Sequence, residues 1–221
     1  MPGLVGRGCR AGQNELKRKL SMELTIYGRR DSSNCAKVFW LLDLIGQPFR
    51  LMPAGRGSGA ENAGDFHNLT PFGKVPVMTR GDLVLWESNA ILRYLASEGP
   101  SGAHWPSDND GKARIDRWMD WVSLSLTPPL GALRKAKDDE RLSKLPAVSA
   151  LAAKLESLLA NTHYLAGDCV TLADICAGPA VHRLGLLADL LPLADLPNLS
   201  AYRSRMEADP LYAAHIRDRL S

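Results

Sequence analysis

What the sequence lacks narrows the field first. Its apolar stretches are all interrupted by charge or proline well before the roughly 18 residues that a helical membrane span needs, so no membrane partner is expected. None of the four cysteines, Cys9, Cys35, Cys169 and Cys176, belongs to a C-x-x-C pair or stands among clustered histidines. That spacing suggests neither a zinc site nor a disulfide framework; no metal is expected, and a reducing cytoplasm fits best. Charge of one sign is scarce too. The formal net charge is +3, and residues 1–21 hold Arg7, Arg10, Lys17, Arg18 and Lys19 against Glu15 alone, which leaves the rest of the chain near neutrality. Without a basic patch, no nucleic-acid partner is expected. The same leading residues have no apolar core of the kind a secretory signal requires, and they read as a disordered extension ahead of Met22. What is present is an ordinary globular composition, 45% hydrophobic and 23% charged over 221 residues, enough for one large domain or two small ones.

The most informative stretch is Arg29 to Gly46. Glu23 to Tyr27 alternates ahead of it, with Leu24 and Ile26 on one face, and reads as a half-buried strand. Ser32, Ser33 and Asn34 then favour a helix N-cap, because their side-chain oxygens accept from the unpaired N–H groups that open a helix. Val38, Leu41, Leu42 and Ile45 fall on one apolar stripe, and Gly46 with Pro48 ends the helix. Hydroxyls, free N–H groups and the positive end of a helix dipole suit an anion such as a thiolate. A well-capped helix with no ligand satisfies the same residues.

Pro48 to Met52 reads as a second strand, and Ala54 to Gly64 as a long soft loop. Asn68 to Met78 places Pro76 inside an apolar strand, which requires an edge or a bend there and admits a cis bond; main-chain groups left free beside it can pair with a peptide-like ligand. Thr79 to Asp82 forms a hairpin turn into Leu83–Trp86, and the Arg80-Gly81-Asp82 tripeptide is read as turn chemistry. Glu87 and Ser88 lead into a helix, with Ser88 at its cap.

Beyond Glu98 to Asp110, a stretch rich in glycine, proline and serine, everything reads as helical. Ile115, Trp118, Met119, Val122 and Leu126 trace one stripe, expected to break at Pro128-Pro129. Leu151, Leu155, Leu158 and Leu159 trace another. Thr171 and Asp174 form a capping box, with Val170 and Ile175 as its hydrophobic staple. Two further helices are expected over Leu199 to Ala208 and Leu211 to Leu220.

Four motifs in this order resemble the cytosolic glutathione transferase superfamily, most closely its bacterial members akin to the theta, zeta and nu classes. They are Ser32-Ser33-Asn34-Cys35-Ala36-Lys37-Val38, Pro71-Phe72-Gly73-Lys74-Val75-Pro76-Val77, Glu87-Ser88-Asn89-Ala90-Ile91, and Leu165-Ala166-Gly167 through Thr171-Leu172-Ala173-Asp174-Ile175. The resemblance implies an α/β N-terminal thioredoxin-like domain of βαβ-ββα order over 22–97. A linker at 98–110 and an all-α helical-bundle C-terminal domain at 111–221 would follow.

It also implies roles. Ser32 would donate to the glutathione sulfur, with Asn34 beside it. Lys74 would approach the glycyl carboxylate, Val75 would pair through its backbone with the cysteinyl part, Pro76 would be the cis-proline, and Glu87 with Ser88 would hold the γ-glutamyl end. The co-substrate would be glutathione, the partner a small apolar electrophile, and the assembly a cytoplasmic homodimer serving detoxification. A serine at the first position of S-x-x-C excludes a dithiol mechanism. Cys35 is a rival nucleophile, read as a small core residue. The alternatives are a glutathione-dependent disulfide reductase or isomerase of nu or zeta type, and a non-catalytic glutathione- or ligand-binding protein on the same fold.

Overall fold

A computed structural model describes residues 22–56, 64–98, 102–191 and 195–221. In chain order its elements are β1 (Leu24–Gly28), α1 (Ser33–Leu44), β2 (Arg50–Pro53), α2 (Gly64–Leu69), β3 (Val77–Arg80), β4 (Leu83–Trp86) and α3 (Ser88–Glu98). Then come α4 (Asn109–Trp121), α5 (Thr127–Lys135), α6 (Asp138–Leu159), α7 (Leu172–Leu186), α8 (Pro197–Glu207) and a single turn, α9 (Pro210–Tyr212). The extension expected over 1–21 and most of the loop expected after Ala54 lie outside the described residues.

The described residues divide into two compact units, one of 22–29 and 48–87, the other of 30–47 and 88–221. The first holds a mixed sheet of order β2-β1-β3-β4, with β1 and β2 parallel and the other pairs antiparallel. Leu24, Ile26 and Gly28 are buried and the residues between them half-buried, the alternation expected of β1. Ala54, Phe66 and Val77 form a buried cluster against which Tyr27, Leu69 and Val75 pack. Pro76 is not on an edge strand. It stands just before β3, an interior strand, because a residue without an N–H cannot join the ladder; the Val75–Pro76 bond is cis. The two-residue turn between β3 and β4 begins at Gly81, whose φ of 57° suits glycine. The short helix α2, in a region read as open connection, is a further element the sequence did not reveal.

The second unit is helical. In α1 every residue from Cys35 to Leu42 is buried, so the helix is enclosed on all sides and not along one stripe only. It ends in a Schellman motif: Gln47 N–H donates to Leu42 C=O at 2.8 Å and Gly46 N–H to Asp43 C=O at 3.1 Å, with Gly46 at φ 64°. Gly178 of α7 lets α1 approach closely, since a Cβ there would stand 2.9 Å from the Trp40 ring. Ile115, Trp118, Met119, Val122 and Leu126 are all buried, as their spacing predicts. The expected break at Pro128-Pro129 does not occur. A π-helical stretch, Val122–Leu126, joins α4 to α5, and the prolines fall in the first turn of α5, where the missing N–H is tolerated. In α6 the buried face is Val148, Ala152, Leu155 and Leu159, whereas Leu158 is 52% exposed, which corrects its assignment to the stripe. The last expected helix is only the α9 turn running into a π-helical stretch, Ala213–Arg217.

Helix α7 is the spine of this unit: every residue from Thr171 to His182 is buried. The capping box forms as expected. Asp174, fully buried, accepts from Leu165 N–H at 3.0 Å, Thr171 N–H at 2.8 Å, the Thr171 hydroxyl at 2.9 Å and the Tyr202 hydroxyl at 3.0 Å. Burial pushes its carboxyl upward, and these four bonds act in the opposite direction. A second carboxylate, Glu156 of α6, accepts from Asn198 N–H, its side-chain amide and Leu199 N–H, satisfying donors that open α8.

Two outcomes follow from this packing. Asp174→Ala strands two main-chain donors and two hydroxyls, and is expected to cost about 3–5 kcal/mol in urea unfolding at pH 7; a loss below about 1 kcal/mol would contradict the role given to the carboxylate. The buried His182, with Nε2 3.0 Å from Leu220 C=O, is held below its ordinary value of 6.5, chiefly by desolvation. The unfolded chain then binds a proton that the native one refuses, so stability is full above about pH 6.5 and is lost as pH falls toward the depressed value. Urea midpoints between pH 7.5 and 5 are expected to fall less steeply in His182→Gln than in wild type.

Candidate functional site

Ser32 occupies the N-cap of α1 with extended backbone (φ −92°, ψ 122°), and its carbonyl accepts from Ala36 N–H at 2.8 Å. Its side chain makes no capping bond, and no acidic residue stands in the first turn. The helix therefore starts with no acid in its first turn and with a half-buried hydroxyl that makes no cap bond, at the point where an anion is best received. Ser33 is half-buried and Asn34 exposed beside it. Cys35, by contrast, is fully buried, the environment of a core residue and not of an accessible nucleophile.

One turn on, Lys37 is buried with only 6% exposure. Its Nζ donates to Asn89 Oδ1 at 3.0 Å and lies 4.0 Å from Cys176 Sγ. Asn89 in turn donates to Ser123 Oγ at 2.9 Å, and Ser123 donates to Met119 C=O at 2.7 Å. Ser123 lies in the π-helical stretch. This polar chain ties α1, the start of α3 and the α4–α5 junction together inside the second unit; sequence reasoning missed it, since its members are more than thirty residues apart.

In the first unit, Thr70 to Gly73 forms a tight turn in which Thr70 Oγ1 accepts from Phe72 N–H at 3.3 Å and Gly73 has φ 59°. Lys74 is exposed just after it. Val75 packs on Gly55, where a Cβ would stand 3.1 Å from both Val75 methyls, and among the described residues the Val75 main chain makes no hydrogen bond. Glu87 follows β4 at φ 69°, a left-handed conformation that costs a non-glycine residue about 1–3 kcal/mol and persists only where the surroundings impose it. It is exposed, while Ser88, first residue of α3, is 5% exposed. Among the described residues no group of three or more histidine, cysteine or acidic side chains is placed to hold a metal ion, and no helix is long and apolar enough to cross a membrane.

A mixed four-stranded sheet with helices, followed in the chain by helices whose buried α7 opens on a capping box, is the fold of the cytosolic glutathione transferases. The family model for the glutathione S-transferase N-terminal domain matches residues 22–97, and that for the C-terminal domain matches 115–210. The chain belongs to the glutathione S-transferase family, and it is a transferase. Glutathione S-transferase GstB of Escherichia coli is 30% identical over 198 residues, which covers 85% of this chain and 94% of that protein. The crystal structure of the theta class glutathione S-transferase from Xanthomonas axonopodis pv. citri, with glutathione bound, aligns at TM-score 0.77 and 30% identity over 88% of this chain and 97% of that one. A glutathione S-transferase from Pseudomonas fluorescens aligns at TM-score 0.70 and 27% identity over 85% and 96%.

The unspent hydroxyl has a consequence for stability. A serine that caps its helix costs about 0.5–2 kcal/mol when replaced by alanine. Because Ser32 makes no such bond, Ser32→Ala is expected to shift chemical unfolding by less than about 0.5 kcal/mol. A larger loss would mean that the hydroxyl is structural.

Proposed function

We propose that the protein conjugates the glutathione thiolate to small electrophiles with an apolar body, and that Ser32 donates the hydrogen bond that stabilises this thiolate. The observation that carries the reading is the Ser32 hydroxyl, left without a capping bond at the start of a helix with no acid in its first turn. A free thiol has a pKa of about 8.5 and is mostly protonated at neutral pH. A hydrogen bond to a charged partner contributes about 1.5–3 kcal/mol, and each 1.4 kcal/mol lowers the pKa by about one unit. No residue has to act as a base.

In this reading Asn34 supports the same sulfur, Lys74 meets the glycyl carboxylate, the Val75 main chain beside Pro76 pairs with the cysteinyl portion, and Glu87 with Ser88 takes the γ-glutamyl end. The unpaired Val75 main chain and the imposed left-handed Glu87 support these assignments. The division into a glutathione-binding domain at 22–97, a linker at 98–110 and a helical domain from 111 onward is proposed with it. So are a cytoplasmic setting, a part in detoxification and a homodimer; exposed Phe72 and Trp86, stacked edge to face at 5.1 Å, offer the dimer an apolar contact. The buried Cys35 weighs against thiol-based reduction by the chain itself.

Thermal unfolding in millimolar glutathione should move the melting temperature upward, and its failure to move would dispose of the site altogether. Ultraviolet titration of the bound thiol should then give an apparent pKa about 1–2 units higher in Ser32→Ala than in wild type. An unchanged value would transfer the role to Ser33 or Asn34. Conjugation of chlorodinitrobenzene without reduction of a mixed disulfide is the activity expected. Glutathione binding with neither would point to a carrier.

A further inference from the structure

Within the second unit, α1, α5 and α7 line an open-mouthed cavity of about 60 Å³ whose polar lining is Ser33, Asn34, Lys37, Thr127, Arg134 and Arg183. At about 10–15 Å³ of such space per water, this is room for a few waters or for one carboxylate, sulfonate or phosphate group. No acidic side chain lines it.

Lys37 donates to Asn89, and Arg134 Nη2 donates to the Ser221 main-chain oxygen at 2.5 Å. Arg183 makes no hydrogen bond or ion pair among the described residues, and its Nε is buried without an acceptor. Arg134 and Arg183 stand in the last turns of α5 and α7, where a cation complements the helix dipole. That accounts for the sign of the charge but not for a buried guanidinium N–H left without an acceptor. Desolvation, and then the neighbouring Arg134, push Arg183 down to about 10, so it keeps its charge at neutral pH. Three cations, two hydroxyls and an amide thus converge on a space with no anion of its own.

We propose that this cavity is an anion pocket that receives the carboxylate, sulfonate or phosphate group of the second substrate, so that the favoured electrophiles carry one acid group on an apolar body. That the acid belongs to a transferase substrate rests on the reading above; the binding of the anion does not. Ser33 and Asn34 follow Ser32 directly in the first turn of α1, so an acid held there leaves the rest of its molecule beside the start of that helix. With an aryl chloride such as 4-chloro-3-nitrobenzoate, the glutathione sulfur forms the new C–S bond. The C–Cl bond breaks with its electron pair, chloride leaves and the thiol proton passes to solvent.

Calorimetric titration without glutathione tests the pocket, using benzenesulfonate and its neutral relative benzenesulfonamide. Benzenesulfonate should bind wild type, more weakly as salt is raised, and the sulfonamide at least tenfold less tightly. Arg183→Gln should weaken the sulfonate at least tenfold. Gly131→Glu supplies a variant that does not depend on losing a half-buried arginine: a Cβ at Gly131 meets nothing within 4 Å, so its carboxylate can occupy the pocket. This substitution should raise the melting temperature and abolish sulfonate binding. In kinetics, the ratio of kcat/KM for 4-chloro-3-nitrobenzoate to that for chlorodinitrobenzene should fall at least tenfold in Arg183→Gln.

Equal binding of sulfonate and sulfonamide, no sulfonate binding, or an affinity unchanged in both variants would overturn the pocket. Sulfonate binding without conjugation of the chloronitrobenzoate would overturn the substrate assignment. A missing melting shift with glutathione would instead overturn the transferase reading, so the two failures are told apart.

Discussion

The carboxylate of Asp174 holds the second unit in register. Its two oxygens collect four donors from three places: Leu165 ahead of α7, the N-cap Thr171, and Tyr202 on α8. Burying a carboxylate is costly unless its lone pairs are filled, and here they are. The return is a fixed start for α7, and α7 fixes much else. Gly178, one turn further on, lets Trp40 press against the helix, and Trp40 belongs to α1. Asp43 of α1 is also held at 2.6 Å by His215. The position of Ser32 at the head of α1 is therefore set through α7 by a carboxylate 142 positions away in sequence.

Stability has been left unclaimed where the site is proposed. A cap bond from Ser32, an acid in the first turn of α1, or a glycine in place of the left-handed Glu87 would each be a routine gain, and the chain has none of them. Compare α7, whose start uses every device available to it, and α4, where the Asp108 side chain accepts from Gly111 N–H at 2.7 Å. The same sequence that caps those helices fully leaves α1 open. Helices α5, α6 and α8 also start without a side-chain cap, so what sets α1 apart is a residue able to cap, Ser32, whose hydroxyl makes no cap bond.

Much of this was legible in the sequence because it is local. The capping box at Thr171-Leu172-Ala173-Asp174 lies within four residues, the hairpin at Gly81 within two, and the α4 stripe within one helix, so period and side-chain chemistry are enough to find them. The positions of Ser32, Val75-Pro76 and Glu87-Ser88 at the ends of elements were equally readable. What was hidden is nonlocal or depends on what a side chain declines to do. Ser32 looks like a cap and does not act as one. Leu158 fits a leucine stripe but faces outward, because Val148 and Ala152 complete the buried face in its place. Pro128-Pro129 resembles a helix stop, yet the π-helical turn before it places both prolines where no donor is needed. The first half of α6 is rich in charge and carries Pro146, and its Leu142, at helical spacing from Leu145 and Val148, is 63% exposed.

The cationic cavity belongs to the hidden class, since Lys37, Arg134 and Arg183 come from three helices and none is unusual in its own context. Its meaning follows from energetics. A half-buried guanidinium could lower its cost by losing its proton, but a value of about 10 is well above neutrality, so Arg183 stays charged. It could be offset by a carboxylate, and none lines the cavity. The α1 dipole, with its positive end toward Ser33 and Asn34, adds charge of the same sign. A cavity with this lining, beside the residue proposed to hold a thiolate, would draw anions to that place before any contact forms. The field that would stabilise the thiolate and the field that would select an acid are then one field, and a neutral electrophile makes use of only half of it.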